Sequence, residues 1–244
     1  MAKVTKPNNL QVNELYHTKF VKLYDLTYDE GAHYFEASRR DAADVLADKG
    51  DDVLTTALPD AVSACLVVVT PNDEPRQVLF YEYRYPTGQY LLSIPSGLID
   101  ARDGGEDDPC AAAMIREIAE ETGVVVGEGD RVTTISPFLF NTPGLTDEST
   151  ALLCVVVHLD DLSPLSHAGA EGSERFGDFE LLTAAEVRQI LAQGRDPRGH
   201  FYPMVAWAAM TYFASGIWRE GFSPQPWTMA EGVTPLAISS WQKG

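Results

Sequence analysis

The sequence predicts a mixed α/β sandwich. Three observations carry this. Apolar, β-branched runs recur at 61–69, 77–85, 132–138 and 150–158; an alanine-rich helical stretch at 109–122 sits in their midst; and two more helical stretches close the body. Strands on both sides of a central helix favour a mixed sandwich over a doubly wound sheet.

Residues 1–57 read as an arm, with strand-like pieces at 20–26 and 33–39 split by the turn Tyr28-Asp29-Glu30-Gly31. The body spans 58–219. In its second run, Val78, Phe80 and Glu82 alternate with Leu79, Tyr81 and Tyr83, and both sets are largely apolar. That pattern suits a strand between two layers. A third strand at 90–94 ends at Pro95, and a loop of Gly, Asp and Arg runs over 97–108. Pro109 opens the helix and Gly123 stops it, the usual punctuation at the two ends. Strands at 132–138, 150–158 and 176–182 follow, then helices at 183–193 and 203–218. The proline-bearing tail, 220–244, is set apart.

Of 244 residues, 45% are hydrophobic and 22% charged, as in an ordinary globular protein. Acidic residues outnumber basic ones 36 to 18, a formal charge of −18. Such a chain repels a phosphate backbone unless it carries a local basic face, and no Lys/Arg cluster supplies one, so nucleic acid is not expected as a partner. Much of the acidity reads as solvated surface, and part is available to bind metal. Cys65, Cys110 and Cys154 lie far apart with no Cys-x-x-Cys, which favours a reducing compartment. No signal-peptide-like run opens the chain, and a cytoplasmic location is expected. The apolar stretch 201–218 contains Pro203, Gly216 and four alanines, so it reads as a buried or dimer-facing helix and not a membrane span.

The segment with chemical content is Arg116-Glu117-Ile118-Ala119-Glu120-Glu121-Thr122-Gly123-Val124. Glu117, Glu120 and Glu121 are spaced i, i+3 and i+4, which places three carboxylates on one helical face. Carboxylates this close repel each other, and hard divalent cations with oxygen ligands are their natural counter-charge. Ala112, Ala113, Ile115 and Ile118 supply small and apolar positions for packing on a sheet. Composition alone also allows an acidic surface helix with a glycine stop. The order of residues decides between the two.

That run resembles the second half of the Nudix box, Gly-x5-Glu-x7-Arg-Glu-U-x-Glu-Glu-x-Gly-U with U aliphatic, at every fixed position. The resemblance implies a Nudix α/β/α sandwich with a mixed sheet, and Mg²⁺ held by Glu117, Glu120 and Glu121, with Mn²⁺ able to substitute and Arg116 beside them. The first half departs from the pattern. Counting back eight from Arg116 reaches Asp108 and not Glu, and Gly97 lies eleven residues before Asp108 where the pattern has six. The first acid is therefore Asp108 or, if the loop bulges, Glu106.

Two flanking motifs point to a subfamily. Tyr83-Arg84-Tyr85-Pro86 with Ser93-Ile94-Pro95-Ser96-Gly97-Leu98-Ile99-Asp100 resembles the Q-x-R…P…E-(L/F)-P-A-G-x-I stretch of ADP-ribose pyrophosphatases. Asn141-Thr142-Pro143-Gly144-Leu145-Thr146-Asp147-Glu148 is similar to their S-P-G-x-x-D-E loop. By this resemblance Arg84 holds the diphosphate, the carbonyl of Ser96 is a metal ligand, Gly97 lines the substrate site, and Pro143 and Gly144 shape its ribose side. Ser93 stands where the pattern has Glu. Glu174, or Glu171 nearby, is the candidate to orient the attacking water, and Tyr28 or Tyr34 of the arm is the candidate to stack on adenine. The stretch 20–39 also resembles their N-terminal strands, so the implied reaction is hydrolysis of ADP-ribose to AMP and ribose 5-phosphate by a homodimer whose arms exchange. The alternatives are another nucleoside diphosphate sugar as substrate, or a non-catalytic ADP-ribose-binding Nudix sensor.

Overall fold

A computed structural model describes residues 6–50, 53, 57–100, 103–169 and 174–220. The arm is a three-stranded antiparallel sheet of β1 (Gln11–His17), β2 (Lys22–Tyr28) and β3 (Ala32–Ser38), in that order. Its small core gathers Tyr24, Leu26 and Val45. Strand β1 lies in a stretch that sequence patterning left without an element. Nearly all its residues are exposed, so no buried face imprints a hydrophobic period.

The body holds β4 (Ala61–Val69), β5 (Arg76–Arg84), β6 (Gln89–Ser93), β7 (Ser96–Leu98), β8 (Arg131–Phe140), β9 (Ser149–His158) and β10 (Phe176–Leu182). The main path of its sheet runs β10-β5-β4-β9-β8, with β6 on β5 and β7 on β4. Strands β4 and β9 are parallel and the remaining pairs antiparallel, so the sheet is mixed.

Alternation along β4 explains the layers. Val62, Ala64, Leu66 and Val68 pack with Ala113, Met114 and Ile118 of helix α1 (Pro109–Thr122). Cys65 and Val67 face the other way, toward α2 (Ala184–Gln193) and α3 (Met204–Ser215). Both faces of β4 are dry, as its unbroken apolar run requires. The result is an α/β/α sandwich with an N-terminal strand arm.

Three boundaries differ from the sequence reading. Part of the 97–108 loop is strand β7. Ile115 is exposed and Met114 packs inward in its place, because the buried face of α1 runs through Ala113, Met114, Glu117, Ile118 and Glu121. Helix α3 stops at Ser215 because Gly216 adopts a left-handed conformation with φ of 81°. No helix among the described residues is long and apolar enough to cross a membrane. The tail from 221, like Glu171, lies outside the described residues.

Candidate active site

The site forms where the C-terminal half of α1 meets β7. Strand β7 is anchored to β4 through the pairs Ser63↔Ser96 and Val62↔Gly97. The Ser96 amide donates to Glu121 Oε2 at 2.9 Å, and its hydroxyl donates to Ser63 Oγ at 2.9 Å. A β-carbon added to Gly97 would overlap the Glu117 carboxyl group. The φ of Gly97 is not in the left-handed region, so the need for glycine here is close approach to Glu117.

Arg116 organises the neighbouring acids. One nitrogen, Nη1, donates to Glu117 Oε1 at 2.5 Å and to Glu120 Oε2 at 3.2 Å. The other, Nη2, donates to the Leu98 carbonyl and to Asp103 Oδ2, both at 3.1 Å. Burial works against its charge, but the bonds to Asp103 and Glu117 outweigh that and push its pKa up.

Asp103 is buried and also accepts from the Asp100 amide at 2.8 Å. Of the loop acids, Asp103 approaches Arg116 at 3.1 Å and Asp100 at 3.9 Å, and no such contact ties Asp108 or Glu106 to it among the described residues. Asp108 is instead the N-cap of α1, accepting from the Ala111 amide at 3.0 Å, and Glu106 is exposed. Counting forward from Gly97 reaches Asp103 at the sixth residue, the spacing the box calls for. Counted from Gly97, the five extra residues follow Asp103; counted back from Arg116, they precede Asp108, the helix cap.

Glu117 and Glu121 are 8% and 3% exposed, on the face of α1 that looks at the sheet. Burial raises the pKa of Glu117; the Arg116 bond and charge oppose this, while Glu120 and Glu174 add to it. Burial raises that of Glu121 well above the usual carboxylate range. The Ser96 amide opposes this, and Glu82, Glu117 and Glu174 reinforce it. Glu174, in the segment before β10, is thus within electrostatic reach of both helical acids. The sequence reading gave Glu82 no role. It lies on β5 facing α1, pairs with Arg84 at 2.7 Å, and sits beside Ser93. Although β6 carries Ser93 where the resemblance expected Glu, an acid reaches this place from the adjacent strand.

The arm docks on the loop after β8. The Tyr34 hydroxyl donates to the Gly144 carbonyl at 2.7 Å, and the Ala37 amide to the Leu145 carbonyl at 3.0 Å. Arg39 pairs with Glu148 at 2.7 Å, and Arg40 with Asp60 at 2.8 Å and Asp147 at 3.3 Å. This brings Tyr34, Pro143 and Gly144 together. Tyr28 lies at the β2–β3 turn, and no described side-chain contact ties it to that loop. An open cleft of about 430 Å³, lined by Arg39, Asp60, Leu98 and Asp100 among others, joins the arm to the end of β7.

The donor set fits a hard divalent cation in its chemistry. It is all oxygen: Glu117, Glu120 and Glu121 lie within two turns of α1, and the charges of Glu82, Glu117 and Glu174 add to the burial that disfavours ionisation of Glu121. In the arrangement described, Glu117 and Glu120 share Arg116 and Glu121 turns to the Ser96 amide. Among the described residues no three such side chains converge on one point.

Comparison with known proteins bears on the family. The NUDIX domain family matches residues 60–205. A putative Nudix hydrolase 2 from Caenorhabditis elegans is 44% identical over 87 residues, covering 36% of this chain and 34% of the relative. An ADP-ribose pyrophosphatase from Saccharomyces cerevisiae is 32% identical over 101 residues, 41% of this chain and 40% of the relative. An ADP-sugar pyrophosphatase from Mus musculus is 33% identical over 102 residues, 42% and 43% of the two. The chain thus spans less than half the length of these relatives. A crystal structure of an ADP compounds hydrolase superposes with a TM-score of 0.52 at 21% identity, covering 91% of this chain and 98% of that one, a likeness of fold. With the domain match spanning more than half of its 244 residues, this chain belongs to the Nudix family.

Proposed function

We propose that this chain hydrolyses the diphosphate bond of a nucleoside diphosphate sugar with the aid of Mg²⁺, and that ADP-ribose is its first substrate, giving AMP and ribose 5-phosphate. The observation that carries the reading is the set of helical acids Glu117, Glu120 and Glu121, of which Glu121 meets Ser96 and Glu117 meets Gly97 of strand β7. The names of the yeast and mouse relatives support the substrate class.

Glu117, Glu120, Glu121 and the Ser96 carbonyl would hold Mg²⁺, which would supply charge neutralisation at the phosphoryl oxygens and acidify a water. The chain's own residues do the rest. Arg84 presents a planar fork to the diphosphate oxygens, charge stabilisation that the transition state needs more than covalent help. Arg116, fixed by Asp103 and the Leu98 carbonyl, orients Glu117 and Glu120. Glu174 takes the proton of the attacking water. The Pro143–Gly144 turn, held by Tyr34, shapes the ribose side, and Tyr34 or Tyr28 stacks on adenine.

A second reading, another ADP-sugar as preferred substrate, is favoured by the name of the mouse relative. A non-catalytic sensor fits less well, since all three box glutamates are present. A phosphatase-coupled screen of nucleoside diphosphate sugars with Mg²⁺ decides. Highest turnover on ADP-ribose supports the first reading and on another sugar the second. No turnover on any overturns both in favour of a sensor.

The chain is also proposed to form a homodimer in the cytoplasm. The arm exposes Leu15, Tyr16, Phe20, Val21 and Phe35, more apolar surface than a free three-stranded sheet tolerates well. The free thiols of Cys65, Cys110 and Cys154 suit a reducing compartment.

A further inference from the structure

Glu82 is an expensive residue in its position. Its side chain is 12% exposed, burial pushes its pKa up, and the Glu174 charge pushes the same way. Its charge in turn disfavours ionisation of Glu121. Three features hold it in place. It is two residues from Arg84 on one strand, so both side chains emerge on the same face. The Arg84 guanidinium lies 2.7 Å from its Oε2. The β5–β6 register sets Phe80 opposite Ser93 and Glu82 opposite Leu91, which puts Ser93 diagonally beside Glu82, where it favours the charged carboxylate.

A half-buried ion pair of this kind is weak evidence for stability, since the desolvation of Glu82 and the solvent screening of Arg84 offset much of the attraction. It does fix geometry. The Arg84 side chain is 44% exposed at the end of its strand, and an arginine so placed samples many rotamers unless a partner selects one.

We infer that Glu82 is a positioning residue that holds the Arg84 guanidinium over the sheet face opposite Glu121, ready to receive the diphosphate of the substrate. The inference rests on the proposed diphosphate hydrolysis. Glu82 contacts neither substrate nor metal in this account and acts only through Arg84.

The test is a double-mutant cycle of Glu82→Gln and Arg84→Ala on the full chain, with KM, kcat and the half-saturating Mg²⁺ concentration measured on ADP-ribose. Glu82→Gln is expected to raise KM about tenfold, the scale of one charge-assisted hydrogen bond, and to change kcat by less than about threefold. The half-saturating Mg²⁺ concentration stays where it was. In the Arg84→Ala background the added Glu82→Gln changes KM by less than about twofold, because the residue it positions is gone. The melting temperature of Glu82→Gln does not fall, since one buried charge among like charges is removed. An unchanged KM, a rise in half-saturating Mg²⁺, or a full additional loss in the Arg84→Ala background would each overturn the inference while the proposed activity stands. A wild-type protein that cleaves no nucleoside diphosphate sugar overturns both.

Discussion

Replacing Gly97 by alanine isolates the geometry of the metal helix from its chemistry, because no box carboxylate is altered. The φ of Gly97 is one that L-residues adopt, and the atoms nearest the new methyl group are those of the Glu117 carboxyl. That carboxyl must retreat by about 1 Å or more, and a displacement of this size in a catalytic constellation costs on the order of 10²-fold in rate. Stability should barely move. Forcing the buried Glu117 off its rotamer costs about 0.5–1.5 kcal/mol. Removing a glycine from the unfolded chain returns about 0.4–1 kcal/mol. The two nearly cancel, so the melting temperature shifts by less than about 4 °C. Steady-state hydrolysis with Mg²⁺, alongside a thermal melt, measures both. Added to Glu117→Ala, the substitution should cost no further turnover. If Gly97→Ala folds normally and keeps more than about a tenth of wild-type turnover, Gly97 does not position Glu117 and the close approach of β7 to α1 has no part in catalysis.

Three further predictions address the loop, the arm and assembly. Asp103→Asn should lower turnover about tenfold by loosening Arg116, whereas Asp108→Ala should cost about 1 kcal/mol of stability as a lost N-cap and leave turnover nearly intact; the reverse ranking in paired kinetic and melting measurements restores Asp108 as the box acid. Glu36 is buried beside Asp147 and Arg40, and burial, with Asp147 adding to it, lifts its pKa to about 7. Because the folded value is the higher one, its contribution is full below the unfolded carboxylate value and is lost as pH rises through about 7. The metal-free protein should therefore lose roughly 1–2 kcal/mol between pH 5 and 8, and Glu36→Gln should remove that loss; equal pH slopes in melts of the two proteins would refute it. Light scattering at micromolar concentration should give the mass of a dimer, and Phe20→Asp with Phe35→Asp should shift it toward the monomer; a wild-type monomer argues against an exchanged arm.

How much of this was legible in the sequence depends on how local each feature is. Helix α1 and its glutamates were readable because Pro109, Gly123 and the i, i+3, i+4 spacing all lie within one segment. Asp103 was missed because an insertion separates it from Arg116, and the count succeeds only from Gly97. Glu82 was read as one more residue of an alternating strand, since its partners Ser93, Glu121 and Glu174 converge on it only through the sheet and the packing of α1. The arm's docking also depends on contacts more than 100 positions apart, such as Tyr34 with Gly144. Strand β7 has three residues, two of them Ser96 and Gly97, and exists because β4 offers it a ladder.

The most direct test of the account is hydrolysis of ADP-ribose by wild type and Glu121→Gln, with products identified and Mg²⁺ present or chelated. The account predicts AMP and ribose 5-phosphate from the wild type, no turnover in EDTA, recovery with Mg²⁺ or Mn²⁺, and a loss of roughly 10²–10⁴-fold in Glu121→Gln without loss of folding. Full turnover in excess chelator, or a Glu121→Gln variant that folds and works within about tenfold of wild type, would contradict it.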